Sequence, residues 1–552
     1  MKKRIEEILK DTLDLSIKKG YLKQTPIPDF VIEIPANPEH GNFATNLAMI
    51  LAGSQRNSPR NIAEILIMHL QDKDNLISKT EIGGAGFINF FIAKEKWYDF
   101  LATVITLKDK FGANNLGNGE KIMVEFVSAN PTGPIHLGHG RGAALGDSLC
   151  RILNFSGYDA RREFYINDGG RQVKILGESV YSRWKQLHDL SYPFPENGYQ
   201  GDYVKDLAVE ISKETDLKGL DFETATNLLS DMSKAKILKG IKQDLINFRI
   251  DFDFWYSESD LYSSGNIDNT IKLLKEKGLV FEDEGALWLK TSLFGDDKDR
   301  VIRKNDGQLT YFATDISYHF DKWERGFKRV INIWGADHHG YVDRMKAAIK
   351  AEGIPDNWLD ILLIQLVKLW EGGEEVKMSK RAGRFITLSE LVEDVGVDAV
   401  RFVFLSKDNN SPIDFDIDLV KKKDSENPVY YVQYAHARIC SVFRKAANQN
   451  INLPEDPGQY FQLLDKKEEL ALIRKIADFP SLVEEMAIDL APHRLTYYLT
   501  ELAGNFHRYY NKHRIVIEDK DLSQARLSLS LAVKIVIKNG LELLGVNAPE
   551  EM

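Results

Sequence analysis

Val127-Ser128-Ala129-Asn130-Pro131-Thr132-Gly133-Pro134-Ile135-His136-Leu137-Gly138-His139-Gly140-Arg141 is the stretch that decides the fold of this 552-residue chain. It follows Lys121-Ile-Met-Val-Glu-Phe126, where Ile122, Val124 and Phe126 alternate among apolar neighbours and predict a buried strand. Beyond it, Ala143, Ala144, Leu145, Leu149, Ile152 and Leu153 recur at helical spacing. A strand, a Gly/Pro-rich turn and a helix start together make the place where a parallel sheet presents backbone N–H groups to a phosphate. His136 and His139 stand three apart at the mouth of that helix. Imidazole N–H groups there donate to phosphate oxygens without a metal, and Gly138 between them lets a ligand approach the backbone. Singly, each feature is ordinary. An HxxH pair is more often a surface pair or half of a metal site, and Gly and Pro after a strand usually mark only a turn. The combination on one unit is what favours phosphate.

Outward from this unit, Ala160-Arg-Arg-Glu-Phe-Tyr-Ile166 reads as the next strand, ending at Asn167-Asp-Gly-Gly170. Strand, helix and strand within about 45 residues is a βαβ crossover, the seed of a doubly wound sheet. Residues 172–280 read as mostly helical, an insertion between two halves of the sheet, interrupted by the acidic, aromatic Asp251–Glu258 stretch. Strand patterns return at Ala286–Leu289, Val301–Arg303 and Arg329–Trp334, the last ending in Gly335-Ala-Asp-His-His-Gly340. Ile361–Trp370, Glu371-Gly-Gly373 and Glu374–Lys380 read as strand, tight turn and strand, followed by a basic loop through Arg384.

Residues 1–110 read as a separate small α+β unit, with a helix over Ile5–Leu22, a strand at Asp29–Ile34 and another at Gly86–Ile92. Gly83-Gly-Ala-Gly86 precedes a strand instead of a helix, so it reads as a turn and not a phosphate loop. From Pro428 to the end the apolar spacing is helical over 429–446, 468–486, 492–512 and 523–544, an α-helical bundle. The predicted architecture is therefore α/β, a Rossmann-type parallel-sheet domain (118–375, with the helical insertion) flanked by the α+β unit, a connecting segment (376–427) and the all-α bundle (428–552).

An apolar fraction of 43% and a charged fraction of 28% fit an ordinary globular protein of several domains. No apolar run is long enough to span a bilayer, and the Met1–Lys10 start mixes acids into an amphipathic helix, unlike a signal peptide. No membrane partner is expected. Two cysteines, Cys150 and Cys440, cannot build a disulfide framework or a four-thiolate zinc site, which points to a reducing cytoplasm. The net charge of −10 argues against bulk attraction to nucleic acid while leaving room for a local basic face.

The motifs together resemble class I aminoacyl-tRNA synthetases, in the form specific for arginine. Ala129–His139 resembles the HIGH signature with its surroundings, and Lys377-Met378-Ser379-Lys380 matches KMSK letter for letter. Tyr165–Gln172, Phe252–Glu258, Tyr311–Ile316, Gly335–His339 and Asp398–Arg401 are further matches, and Glu39–Asn46 is similar to the added N-terminal domain. The likeness covers essentially the whole chain.

This resemblance implies an enzyme that activates L-arginine with ATP to arginyl-adenylate and passes it to the terminal adenosine of tRNA. It implies magnesium with ATP, no zinc or other metal site, no DNA partner, and action as a monomer. His136 and His139 would hold phosphate oxygens, while Lys377 and Lys380 neutralise the leaving pyrophosphate; such catalysis is mainly alignment and charge stabilisation. Gly138, Gly335, Asp337, His338, Met378 and Ser379 would line the ATP site, though Asp337 also suits a plain helix cap. A guanidinium cannot lose its proton and pairs bidentately with carboxylates. The resemblance assigns Asp315 to it, with Tyr311 one helical turn earlier on the same face, and Glu125, Ser128 and Asn130 to the amino-acid site. Glu125 also suits a structural ion pair, and Tyr311 a core position.

The bundle is expected to read the anticodon. Tyr430, Tyr431, Gln433, Tyr434, His436 and Arg438, then Arg494, Tyr497, Tyr498, His507, Arg508, Tyr509, Asn511 and Arg514, interleave aromatic with basic or amide groups, as stacking on unpaired bases demands. Tyrosines at helical spacing are, however, more often core. The N-terminal unit, by resemblance, contacts the outer corner of the tRNA. The alternatives are a metal-dependent hydrolase using His136, His139, His338 and His339, a non-catalytic tRNA-binding relative, and the same fold specific for another amino acid.

Overall fold

A computed structural model describes residues 1–35, 37–376, 386–456 and 458–552. Its centre is a five-stranded, wholly parallel sheet in the spatial order Leu359–Ile364, Arg329–Gly335, Lys121–Glu125, Asp159–Ile166, Phe254–Ser257. The chain starts in the middle, winds to one edge, returns and winds to the other. The order therefore reverses between Lys121–Glu125 and Arg329–Gly335, and a ligand crevice opens at the carboxyl ends of strands at such a point.

The strand Lys121–Glu125 and the helix Leu137–Phe155 appear as the sequence predicts. That helix is buried along nearly its whole length, which its glycines allow. At Gly146 any side chain would collide with the ring of Phe126, so the helix lies directly on the sheet. Asp147, on the same helix, is buried and bound by Arg151 (2.7 Å), Arg162 (3.0 Å) and Arg401. Burial pushes the Asp147 carboxyl up, but Arg401, Arg151 and Arg162 outweigh it and hold it below its ordinary range. Arg401 is itself fully buried and donates to the carbonyls of Leu544 (2.9 Å) and Phe248 (3.0 Å), while Ser148 donates to Leu543 (2.9 Å). The signature helix is thus bolted to the end of the C-terminal bundle.

Several elements differ from the sequence reading. The Asp251–Glu258 stretch is no mere interruption of an insertion: Phe254–Ser257 is the edge strand of the central sheet, paired with Glu163–Ile166. The helices Arg171–Gln186, Asp202–Glu214 and Phe222–Asn247 precede it. Ala286–Leu289 and Arg300–Arg303 do not rejoin the central sheet; with Val280–Asp283 they form a separate antiparallel one. Ile361–Trp370 is two strands. Leu359–Ile364 closes the parallel sheet, whereas Val367–Glu371 leaves it to pair with Glu374–Glu375 and Ile413–Asp416.

In the N-terminal unit the strand at 29–34 shrinks to Ile32–Glu33, and Gly83–Gly86 is a hairpin turn between Ile77–Gly83 and Phe87–Ile92. A helix that the sequence reading passed over, Lys94–Leu107, leads toward the bundle, where Tyr98 donates to the Leu464 carbonyl at 3.0 Å. The predicted helix over 468–486 is broken into Lys467–Ala477 and Phe479–Asp489, because Pro480 lacks the N–H that a continuous helix needs. The other bundle helices, Pro428–Asn448, His493–Lys512 and Lys520–Leu543, match their predicted spans closely.

Candidate active site and anticodon face

At the reversal point the chain leaves Glu125 through two residues in the left-handed region, Val127 (φ 68°) and Ser128 (φ 39°). Neither is glycine, so the turn carries backbone strain of the kind found at functional sites. It sets Ser128 Oγ 2.9 Å from Glu125 Oε1, where it also accepts from the Tyr165 N–H at 3.2 Å. The turn is braced further along: Asn130 donates to Gln172 at 2.6 Å, and Tyr203, from the helical insertion, donates to the Thr132 carbonyl at 2.7 Å. Past it, the Leu388 N–H donates to the Ile135 carbonyl at 2.8 Å, and Thr387 pairs with His136.

His136 caps the helix: its Nδ1 accepts from the Gly138 N–H at 3.1 Å, so the neutral ring carries its own proton on Nε2. A side chain on Gly138 would press on that imidazole. His139 stacks on His136 with ring centres 3.8 Å apart. The structure therefore brings the two signature histidines together at a helix N-terminus, where the dipole favours an anion. Across the reversal point, Gly335 ends its strand and Ala336–Tyr341 forms a short turn. Asp337 and His338 are largely exposed, with His338 Nε2 3.9 Å from the Asp337 carboxylate, outside hydrogen-bond range. Asp337 folds back over Gly335, where a side chain would collide with it. No capping bond is formed by Asp337, so the helix-cap alternative does not hold. Lys377, Met378, Ser379 and Lys380 lie outside the described residues.

Behind the signature turn sits a buried acidic cluster. Asp315 lies one turn into the helix Tyr311–Glu324 and accepts a 2.6 Å hydrogen bond from the Tyr341 hydroxyl. Burial pushes its carboxyl up to about 7; Tyr341 opposes the rise, Glu125 and Glu258 add to it, and Lys322 opposes it. Glu258, just past the edge strand, is buried and accepts from the Gly169 N–H at 3.2 Å. Burial raises its carboxyl as well; the Gly169 bond opposes this and Asp168 adds to it. Tyr165 lies among Glu258, Asp315 and Glu125. Buried carboxylates facing one another demand a cation.

Glu125 takes the ion-pair role that the sequence left open: its Oε2 accepts from Lys322 at 2.6 Å, and Lys322 is fully buried. The chain of bonds continues from Lys322 to Asn332 (3.3 Å), from Asn332 to His319 Nε2 (2.7 Å), and from His319 Nδ1 to the Asp315 carbonyl (2.7 Å). Burial lowers His319 to about 3, so it stays neutral and its tautomer is set by these two partners. Tyr311 is not core: it is 67% exposed at the helix start, with its hydroxyl beside Gly170.

Sequence reasoning overlooked Glu258, Tyr341, Lys322, Tyr165, His319 and Gln172. Glu258 and Gln172 end motif matches and were within reach of that reading; Lys322 and Tyr341 carry no local signal. His136 and His139 lie on the signature helix, His338 and His339 on the turn after Gly335. Among the described residues no three His, Cys, Asp or Glu side chains are placed to hold a metal ion.

On the bundle, Tyr430 stacks on Tyr434 (centres 5.8 Å) and Tyr434 on His507 (5.9 Å), while the Arg438 guanidinium covers Tyr434 at 4.4 Å and Tyr510 at 4.8 Å. Tyr430, Tyr431, Tyr434, Arg438, His507 and Asn511 line a cavity of about 380 Å³. Other expected readers are structural. Gln433 binds Asp398 and the Asn547 carbonyl, His436 binds the Pro549 carbonyl, and Tyr498 and Tyr509 are buried. Arg494 is held by Glu485 and Asp489, next to the 60% exposed Tyr497.

Comparison with known proteins agrees with this geometry along the whole chain. Residues 1–92 match the arginyl tRNA synthetase N terminal domain, 101–422 the catalytic domain of class I (R) tRNA synthetases, and 432–552 the DALR anticodon binding domain. The arginine–tRNA ligase of Desulfosudis oleivorans is 48% identical and that of Syntrophotalea carbinolica 46%, each aligned over all of both chains. The Thermus thermophilus arginyl-tRNA synthetase structure shares the fold over the full length of both chains, with a TM-score of 0.78 at 23% identity. Full-length identity at this level, matched domain by domain, places the chain in the arginyl-tRNA synthetase family.

Proposed function

We infer that the chain is an arginine–tRNA ligase. The arginine carboxylate oxygen attacks the α-phosphorus of ATP and pyrophosphate leaves, giving arginyl-adenylate. A ribose hydroxyl of the terminal adenosine of tRNA, the 2′-hydroxyl in this reading, then attacks the carbonyl, loses its proton, and AMP departs. The observation that carries the reading is the juxtaposition of a buried acidic cluster, Asp315 with Glu258, and a histidine-bearing helix N-terminus at one sheet reversal.

In this assignment the guanidinium lies between Asp315 and Glu258, where a neutral side chain would leave buried carboxylates unpaired, a strong basis for rejection. Ser128 and Asn130 face the main-chain groups of arginine, with Glu125, held by Lys322, supplying fixed negative charge. His136 Nε2–H and His139 meet phosphate oxygens, Gly138 and Gly335 let ATP approach the backbone, and Asp337 with His338 lies toward the ribose. Lys377 and Lys380, with Met378 and Ser379 between them, neutralise pyrophosphate as it leaves. Magnesium enters with the ATP phosphates, which suit a hard cation that keeps much of its water.

The stacked Tyr430, Tyr434 and His507 beneath Arg438 form a base platform for the anticodon loop, and residues 1–110 meet the outer corner of the tRNA. No described helix is long and apolar enough to cross a membrane. The reading is of a monomer in a reducing cytoplasm, with both cysteines free and buried. The test is aminoacylation of total tRNA with each of the twenty amino acids in turn. Charging by arginine alone is expected; charging by another amino acid, or by none, refutes the assignment.

A further inference from the structure

We propose that Tyr341 is a specificity-determining positioning residue for arginine: its phenol engages one oxygen of Asp315 and leaves the other turned toward the guanidinium. The proposal rests on the reading of Asp315 as the guanidinium partner. Tyr341 ends the turn that follows Gly335, so its hydroxyl reaches from the ATP side of the crevice to the arginine side and donates to Asp315 Oδ2 at 2.6 Å. The ring has little freedom. Phe312 meets it edge-on with centres 6.1 Å apart, Trp334 lies 6.0 Å away, and the Arg344 guanidinium covers it at 5.0 Å.

A carboxylate with no fixed partner is free to turn about its Cβ–Cγ bond, and the Tyr341 bond fixes the plane in which Asp315 meets a fork. With Oδ2 occupied, a planar fork still spans Asp315 Oδ1 and a second acceptor, whereas an ammonium offers all its donors from one point. The groups facing Asp315 come from every element around it: Glu125 from the central strand, Tyr165 from the strand beside it, Glu258 from beyond the edge strand, Lys322 from its own helix, and Tyr341. Arg344 and Arg300 in turn face Tyr341. Burial and the two acids oppose ionisation of Asp315, and the Tyr341 bond counters them. Removing the hydroxyl therefore raises the pH at which the carboxylate becomes available to arginine.

The test is Tyr341→Phe, which keeps the ring packing, measured beside Asp315→Asn and the double variant by arginine-dependent pyrophosphate exchange with tRNA present. Tyr341→Phe is expected to raise the arginine KM about tenfold, equivalent to about 1.4 kcal/mol. The ATP KM should stay within about twofold, and the acid limb of kcat/KM for arginine should move to higher pH, since that limb reports the free enzyme. The double variant should be no worse than Asp315→Asn alone, because Tyr341 acts through that carboxylate. If Asp315→Asn leaves the arginine KM unchanged, the guanidinium assignment itself falls and the proposal with it. If Asp315→Asn raises the KM but Tyr341→Phe does not, or if the two losses add in full, the proposal alone is overturned. If the phenylalanine protein melts early, its arginine KM is read well below the melting midpoint of both proteins, and a value unchanged from the wild type there overturns the donor role.

Discussion

Asp315→Asn should make the ligand-free protein more stable while strongly weakening its use of arginine. The carboxyl, ordinarily near 3.8, is pushed up to about 7 by burial and the neighbouring acids. At about 1.36 kcal/mol per decade, the folded state bears about 4 kcal/mol once the group is fully ionised. The folded form binds the proton more tightly than the unfolded chain between pH 3.8 and 7. Stability from this group is therefore greatest below that window, falls as pH rises through it, and is level above.

Asparagine keeps an acceptor for the Tyr341 hydroxyl but buries an amide N–H pair at a cost of about 1–2 kcal/mol. A net gain of about 2–3 kcal/mol is expected at pH 7.5, vanishing near pH 5. Urea unfolding followed by tryptophan fluorescence reads this directly, since Trp323 and Trp334 belong to the elements around the cluster. Saturating arginine should raise the midpoint of the wild type and leave the variant unmoved. An equal difference between the two proteins at pH 5 and 7.5 would refute the electrostatic account. Equal stabilisation of both by arginine would refute the binding assignment.

Glu352 is buried with neither carboxylate oxygen bonded, and burial drives its carboxyl far upward. Glu352→Met should stabilise by about 1–3 kcal/mol at neutral pH, and the gain should widen between pH 5 and 8 in the same unfolding assay. Arg401→Met leaves Asp147 with Arg151 and Arg162 but frees two buried carbonyls and unpins the bundle. A loss of about 3–5 kcal/mol, with earlier proteolysis near Leu543–Gly545, is expected; an unchanged cleavage pattern would mean the joint is not held there. Replacing both Lys377 and Lys380 by Ala should chiefly slow adenylate formation in single-turnover experiments, and an unchanged rate would remove them from the mechanism.

The sequence alone was enough for whatever depends on chain neighbours. The strand–turn–helix around His136 and His139 was legible because glycines, prolines and helical periodicity all act within a few residues. The bundle helices were legible for the same reason, save where Pro480 breaks one. Phe254–Ser257 was not legible, because a four-residue edge strand between acidic flanks carries no alternation, and only pairing with Glu163–Ile166 makes it a strand. The family motifs named Asp315, yet the charge environment that shifts it comes from Glu125, Glu258, Lys322 and Tyr341 on four different segments.

No periodicity records that convergence. Parallel register brings the strand ends to one edge, and burial there turns ordinary side chains into a coupled set. Glu125 shows the difference best: its type and position in the motif were plain from the sequence, but whether it would face a ligand or a buried lysine was decided by the helix packed across the sheet. The same holds for Tyr341, whose significance lies wholly in the 2.6 Å bond that the fold allows it to make.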